Sequence, residues 1–228
     1  MILRYYGHSL FTLTLADGTV VATDPYGDFY TYPKQSVKAD VCTVSHQHHD
    51  HNAVGMIAGS PRVIDTTGEH LLPNGPTITG VLTDHDEKRG ALRGKNIVFV
   101  IESEGLRVAH LGDLGHVPTE AQLAAIGRVD VLLVPVGGYY TIDAEAAAQT
   151  IKLLKPRVSI PMHYRTEYSQ EMPIDTAEPF LRLMNAKPEP MRLCRITKDD
   201  LSERPGVVLL AMTLTSASAT DTIERNRP

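Results

Sequence analysis

The feature that most constrains this chain is a run of six residues, His46-Gln47-His48-His49-Asp50-His51, which holds four of its ten histidines. Imidazole nitrogen and carboxylate oxygen are the ligands that a borderline divalent ion such as zinc takes. The apolar stretch Val41–Val44 leads into the run, so the cluster leaves the end of a buried strand, whereas a tag-like histidine run would sit on a solvated tail. Period-two alternation puts His46 and His48 on one side of the emerging chain. Asp50 and His51 follow where the chain must turn toward the next helix. One strand end thereby offers two ligands to one ion and two to a neighbour. His49 breaks the alternation and is expected to face away.

The rest of the chain reads as mixed α/β. Leu10–Leu15 alternates with period two, Ala16-Asp17-Gly18-Thr19 is a hairpin turn, and Val20–Thr23 returns to Asp24-Pro25. Residues 26–34 are irregular. Ile97–Ile101 and Leu106–Leu111 form a hairpin around Glu104-Gly105. Thr119 and Gln122 have capping-box spacing, and that helix stops at Gly127. Val129–Val134 is a nearly unbroken apolar strand. Asp143 caps a helix with Ala144, Ala147, Ile151 and Leu154 on one face, which ends at Pro156 before the strand Val158–Ile160. A third helix is expected over 176–185. One domain over residues 1–215 and a flexible tail over 216–228 follow.

Composition narrows the partners. Lys+Arg is 22 against Asp+Glu 27, a formal charge of −5, which speaks against a nucleic-acid or anionic-membrane surface. Cys42 and Cys194 lie in apolar segments and read as buried thiols of a reducing compartment. No basic leader opens the sequence, and no run approaches the roughly 20 apolar residues of a membrane helix. The expected setting is cytoplasmic, with a small-molecule substrate, no nucleic acid and no membrane; self-association stays open. Neither Gly-x-Ser-x-Gly nor Gly-x-x-x-x-Gly-Lys is present.

His46-x-His48-x-Asp50-His51 resembles the His-x-His-x-Asp-His signature of the metallo-β-lactamase superfamily. Gly7-His8-Ser9, Asp24-Pro25, His110-Leu111-Gly112-Asp113 and Pro161-Met162-His163-Tyr164 resemble, in order, segments of its small zinc-dependent hydrolase subgroup, which includes L-ascorbate-6-phosphate lactonase. The resemblance implies an α/β (α+β) architecture, an αββα sandwich of two mixed sheets with metals at one sheet edge. It implies that His46, His48 and one later histidine hold a first ion. Asp50, His51 and His163 would hold a second, with Asp113 bridging both.

The later histidine is His85, His70 or His110. His85 follows the strand-like Thr77–Leu82, 37 residues beyond His48, and is favoured. His70 reads as a surface residue at a helix start, and His110 as a neighbour of the ligands or a proton donor. His8 and Asp24 would orient the ligands, although His8 also reads as a satisfied core histidine. Tyr164 and Arg165 would contact the ligand, the arginine gripping a carboxylate or phosphate. Tyr139-Tyr140, Tyr26, Tyr30 and Tyr32 line a cleft or pack.

Two Zn²⁺ ions, or Mn²⁺ or Fe²⁺ in their place, would supply a hydroxide at neutral pH, with Asp50 and His110 as catalytic proton carriers. The expected activity is hydrolysis of a small anionic metabolite at a lactone or ester bond. A phosphodiesterase or nuclease, a non-catalytic metal-binding or sensing protein, and a di-iron oxidoreductase are the alternatives. β-Lactamase activity itself is not expected without an export signal.

Overall fold

The structure is a computed structural model and describes residues 1–73, 75–204 and 206–215, so the tail expected over 216–228 lies outside the described residues. β1 (Ile2–Gly7), β2 (Leu10–Thr14) and β3 (Val20–Thr23) form an antiparallel meander. The turn between β2 and β3 closes with Leu15 N–H on Thr19 O at 2.8 Å, and Gly18 rather than Asp17 takes the positive φ, +90°. The short β4 (Val37–Lys38) precedes β5 (Val41–Thr43), which lies parallel to β3. β6 (Ile57–Ala58) pairs with β4, and β7 (Arg62–Ile64) runs parallel beside β5. A 3₁₀ turn at Val54–Met56, not an α-helix, follows the histidine run.

The second sheet takes β8 (Gly68–Leu71), β9 (Thr77–Asp84), β10 (Lys95–Ser103) and β11 (Leu106–His110) in antiparallel succession. α1 (Glu120–Ile126) then crosses over to β12 (Val131–Pro135), and α2 (Ala144–Leu154) to β13 (Val158–Met162); both strands join in parallel. Parallel neighbours need such a crossover. α3 (Glu178–Leu183) is shorter than expected, and β14 (Cys194–Arg195) closes the first sheet against β1.

Local rules explain the helices. Thr119 Oγ1 accepts from Gln122 N–H at 3.3 Å and Gln122 Oε1 accepts from Thr119 N–H at 2.9 Å, a complete capping box. Asp143 Oδ1 accepts from Ala146 N–H at 2.9 Å. In α2, Ile151 packs against the core as expected but only partly buried, while Thr150 is fully buried, its hydroxyl donating to Ala146 O at 2.8 Å. His70 lies on β8 rather than at a helix start, its ring 3.0 Å from Thr66 O.

The sheets are mixed and face each other, as the resemblance implies. Leu3, Phe11, Leu13 and Val21 from one sheet meet Phe99, Ile101, Val108, Leu133 and Ile160 from the other, all buried. The opposite face of the second sheet packs under the three helices through Leu132, Val134, Ala147 and Phe180. The outer face of the first sheet departs from a symmetric αββα picture. The irregular stretch 26–36 covers it, with Tyr26, Phe29 and Tyr32 packed on Ala22, Cys42 and Val44. No helix among the described residues is long and apolar enough to cross a membrane.

β1, β3 and β5 run in one direction, as do β9, β11, β12 and β13. Bonds between the sheets tie their C-terminal ends into one rim: His163 N–H to His8 O, 2.9 Å, and Ile97 N–H to Ser45 O, 2.9 Å. Phe99, fully buried in the inner core, tests this packing. Phe99→Ala is expected to lower unfolding stability by about 3–5 kcal/mol in urea titrations, the range for a large ring removed from a sealed core.

Candidate metal centre

The rim gathers side chains from six segments. His8 follows β1, Asp24 follows β3, and His46, His48, Asp50 and His51 follow β5. His85 follows β9, Asp113 follows β11, and His163 follows β13. Three of them stand in the left-handed region, His8 at φ +52°, Asp24 at +41° and His163 at +49°. Such angles cost a non-glycine residue on the order of 1 kcal/mol each and persist where surrounding structure enforces them. Gly112, at φ +55°, is required for a second reason: a Cβ there would stand 2.3 Å from Asn96 Oδ1 and 2.6 Å from Ser45 Cβ.

Asp113 is the hub. It is 2% exposed, and Asn96 Oδ1 accepts from its backbone N–H at 2.9 Å. Its Oδ1 lies 3.3 Å from His51 Nε2, and its Oδ2 lies 3.3 Å from both His85 Nε2 and His163 Nε2. These are not well-formed hydrogen bonds: Asp113 Oδ1, like the neighbouring His46 Nε2, is buried without a hydrogen-bond partner. Donors bound to one ion at about 2.1 Å stand roughly 3.0–3.4 Å apart, so the spacing is that of a coordination sphere. The residues present fit a metal ion on this ground.

Two groups of donors flank Asp113. His46, His48 and His85 each offer a nitrogen, all within 4.8 Å of one another. His8, His51 and His163 do the same on the other side. Asp50 Oδ2 is 3.3 Å from His8 Nε2 and 3.8 Å from His51 Nε2. His8 therefore reaches further than its expected orienting role. Its Nε2 stands 3.2 Å from His51 Nε2, within reach of whatever His51 binds.

Neighbours fix the ring orientations. Ser45 Oγ lies 2.9 Å from His46 Nδ1, which leaves Nε2 for the cluster. Asp24 Oδ2 lies 2.9 Å from His51 Nδ1, and Asp24 Oδ1 accepts from Ser45 N–H at 2.7 Å. Asp24 thereby fixes the orientation of the His51 ring.

The electrostatics follow from burial and charge. Burial pushes His46 down to about 3, with His51 adding to the effect, and pushes His8 down to about 4, with His163 adding. Both rings are neutral and able to donate a lone pair. Burial works to raise Asp113, but His163 and His51 more than offset it and hold the carboxyl well below its usual range. Burial likewise opposes charge on His51, yet Asp113 and Asp24 raise its pKa well above the ordinary value. That proton must leave before Nε2 can bind an ion.

Two expectations are corrected. His110 is fully buried, its Nε2–H donating to Ser9 O at 2.9 Å and its Nδ1 accepting from Gly112 N–H at 3.1 Å. With both nitrogens held by backbone it braces the rim and is not placed to carry a proton to substrate. Tyr164 and Arg165 do not line the cavity. The left-handed turn at His163 swings the chain away, so Tyr164 packs on the core, its ring 6.3 Å from Tyr5, and Arg165 is exposed.

A cavity of about 530 Å³ opens onto the donors and is lined by His48, Asp50, His85, Asp113 and His163. Phe29, Tyr30, Arg93, Tyr140 and Met172 form its walls, with His49 at the rim. Tyr30 and Tyr140 were anticipated, whereas Tyr26 and Tyr32 are core residues. Arg93 was missed: it sits in a loop dense with charges, and such runs read as solvated surface.

The chain matches the β-lactamase superfamily domain over residues 2–163. It is 33% identical over 204 residues to a UPF0173 metal-dependent hydrolase of Anaeromyxobacter sp. strain K, covering 71% of this chain and 74% of that one. It is 32% identical over 195 residues to a UPF0173 protein of Pyrococcus furiosus, covering 76% and 87%. A crystal structure from Thermotoga maritima, described as of the metallo-β-lactamase superfamily, superposes with a TM-score of 0.75 at 38% identity, covering 92% of this chain and 98% of that one.

Asp24→Asn removes the acceptor for His51 Nδ1–H. Zinc affinity, measured by competition with a chromophoric chelator, is expected to fall about 10- to 100-fold. Gly112→Ala is expected to cost at least about 2 kcal/mol in thermal unfolding, from the left-handed φ and the contact with Asn96 together.

Proposed function

This chain belongs to the metallo-β-lactamase superfamily, and on that premise we propose that it is a hydrolase that uses two zinc ions to cleave a lactone or ester bond of a small anionic metabolite in the cytoplasm. The observation that carries the reading is the pair of donor groups, buried but for His48, that share Asp113 between them. His46, His48 and His85 would hold one ion, and Asp50, His51 and His163 the other, with His8 in reach of the second. Divalent ions held there would supply a hydroxide at neutral pH and Lewis-acid polarisation of the bond under attack.

The chain's own residues set the rest. Asp113, buried and ionised, presents Oδ2 at 3.3 Å to one histidine of each donor group, His85 and His163, and Oδ1 to His51. Asp24 and Ser45 fix which nitrogen of His51 and His46 faces inward. Asp50 lines the cavity, and its Oδ1 is engaged by neither His8 nor His51, so it is the group suited to take a proton from the nucleophile and return it to the leaving oxygen. Phe29 and Met172 present apolar surface that limits water beside the reacting bond. The cavity volume suits a small metabolite. The formal charge of −5 is consistent with a substrate other than nucleic acid, and the lactone preference rests on the resemblance of the flanking motifs to the lactonase subgroup.

Zinc-reconstituted protein screened against lactones, aryl esters and phosphodiesters is expected to turn over a lactone or ester, with Asp50→Ala at least about 100-fold slower in kcat. Wild-type protein carrying its full metal complement but hydrolysing none of the panel, or phosphodiesters alone, contradicts this assignment.

A further inference from the structure

Among the described residues Arg93 is the one arginine or lysine of the cavity wall, and the donor groups leave it unused. Its guanidinium carbon stands 5.6 Å from the centre of the Tyr140 ring and 6.0 Å from that of Tyr139. These rings hold the plane of the fork by cation–π contact and leave its N–H edge unspent. Among the described residues the guanidinium makes no ion pair and no hydrogen bond; the one polar contact of Arg93 is through its backbone N–H. The acidic groups of the cavity are engaged elsewhere. Asp28 pairs with Lys34 at 3.0 Å, Asp50 faces His8, and Asp113 faces His51, His85 and His163.

The loop that carries Arg93 is wound around one carboxylate. Asp86 is 3% exposed; its Oδ1 accepts from Lys88 N–H at 2.7 Å and Gly90 N–H at 3.0 Å, and its Oδ2 from Leu92 N–H at 3.0 Å and Arg93 N–H at 2.8 Å. Asp86 follows His85 directly, so a single buried side chain sets both the start of the loop at the metal centre and its end at Arg93.

We propose that Arg93, steadied by Tyr140, is an anion-binding subsite that takes a carboxylate or phosphate group of the substrate while the metal centre faces the bond to be cleaved, and that Asp86 is the positioning residue that aims it. This deepens the hydrolase reading and rests on it for the word substrate. Phe29, Tyr30 and Met172 would cover the body of the molecule between the two ends.

Calorimetric titration of the zinc-loaded full chain with succinate, inorganic phosphate and uncharged succinamide tests this, with metal content measured for every variant. Arg93→Ala is expected to weaken succinate or phosphate about tenfold or more, the loss of a charge-assisted fork, and to leave succinamide unchanged. Arg93→Lys, a point charge without the fork, is expected to fall between. Asp86→Asn is expected to act in the same direction to a lesser extent at full metal content. Which of the two anions responds identifies the group taken. Equal anion affinities in wild type and Arg93→Ala place the anion on the metals and overturn the proposal, as does a wild type that binds neither anion. Arg93-dependent binding by a protein that hydrolyses nothing sustains the subsite and removes the hydrolase reading.

Discussion

Burial of the Asp113 carboxylate between two sheets is the constraint to which the rest of the rim answers. An ionised carboxylate away from water is costly unless cations or donors surround it. Here imidazoles from β5, β9 and β13 surround it at 3.3 Å, without the geometry of well-formed hydrogen bonds. Bringing them together requires strand ends that reverse sharply, which is why His8, Asp24 and His163 hold left-handed angles and why only glycine fits at 112. The apolar core beneath, from Leu3 and Phe11 across to Phe99 and Ile160, supplies the stability against which that local cost is set.

Function then follows from what the rim leaves open. Residues behind it, Asp24, Ser45 and His110, are consumed in holding rings and backbone. Residues in front, Asp50, His48 and Arg93, face a cavity whose walls are aromatic and apolar. The two sides have different chemistry because the first sheet is covered there by the irregular stretch 26–36 instead of a helix, so Phe29 and Tyr30 reach the mouth.

How much of this could be read beforehand depended on sequence distance. The run from His46 to His51 is contiguous and leaves a buried strand, so its ligand character is visible residue by residue. The capping box at Thr119 and the Asp143 cap are equally local. Joining Asp113 and His163 to the cluster needed the family resemblance, since periodicity carries no information on which strand ends meet. Choosing among His70, His85 and His110 depended on the course of β8, β9 and β11: His85 ends up in the cluster, His70 on an edge strand, and His110 clamped by backbone. Arg165 was misplaced because the reversal at His163 cannot be seen in sequence, and Arg93 was passed over because the Asp86 bonds that organise its loop join backbone groups.

The central claim is that two cations share Asp113. Anomalous diffraction at the zinc absorption edge from crystals of the zinc-loaded protein measures it directly. The account predicts two peaks, one against His46, His48 and His85 and one against His51 and His163, with the Asp113 carboxylate between them. A single peak, or peaks away from Asp113, would contradict it.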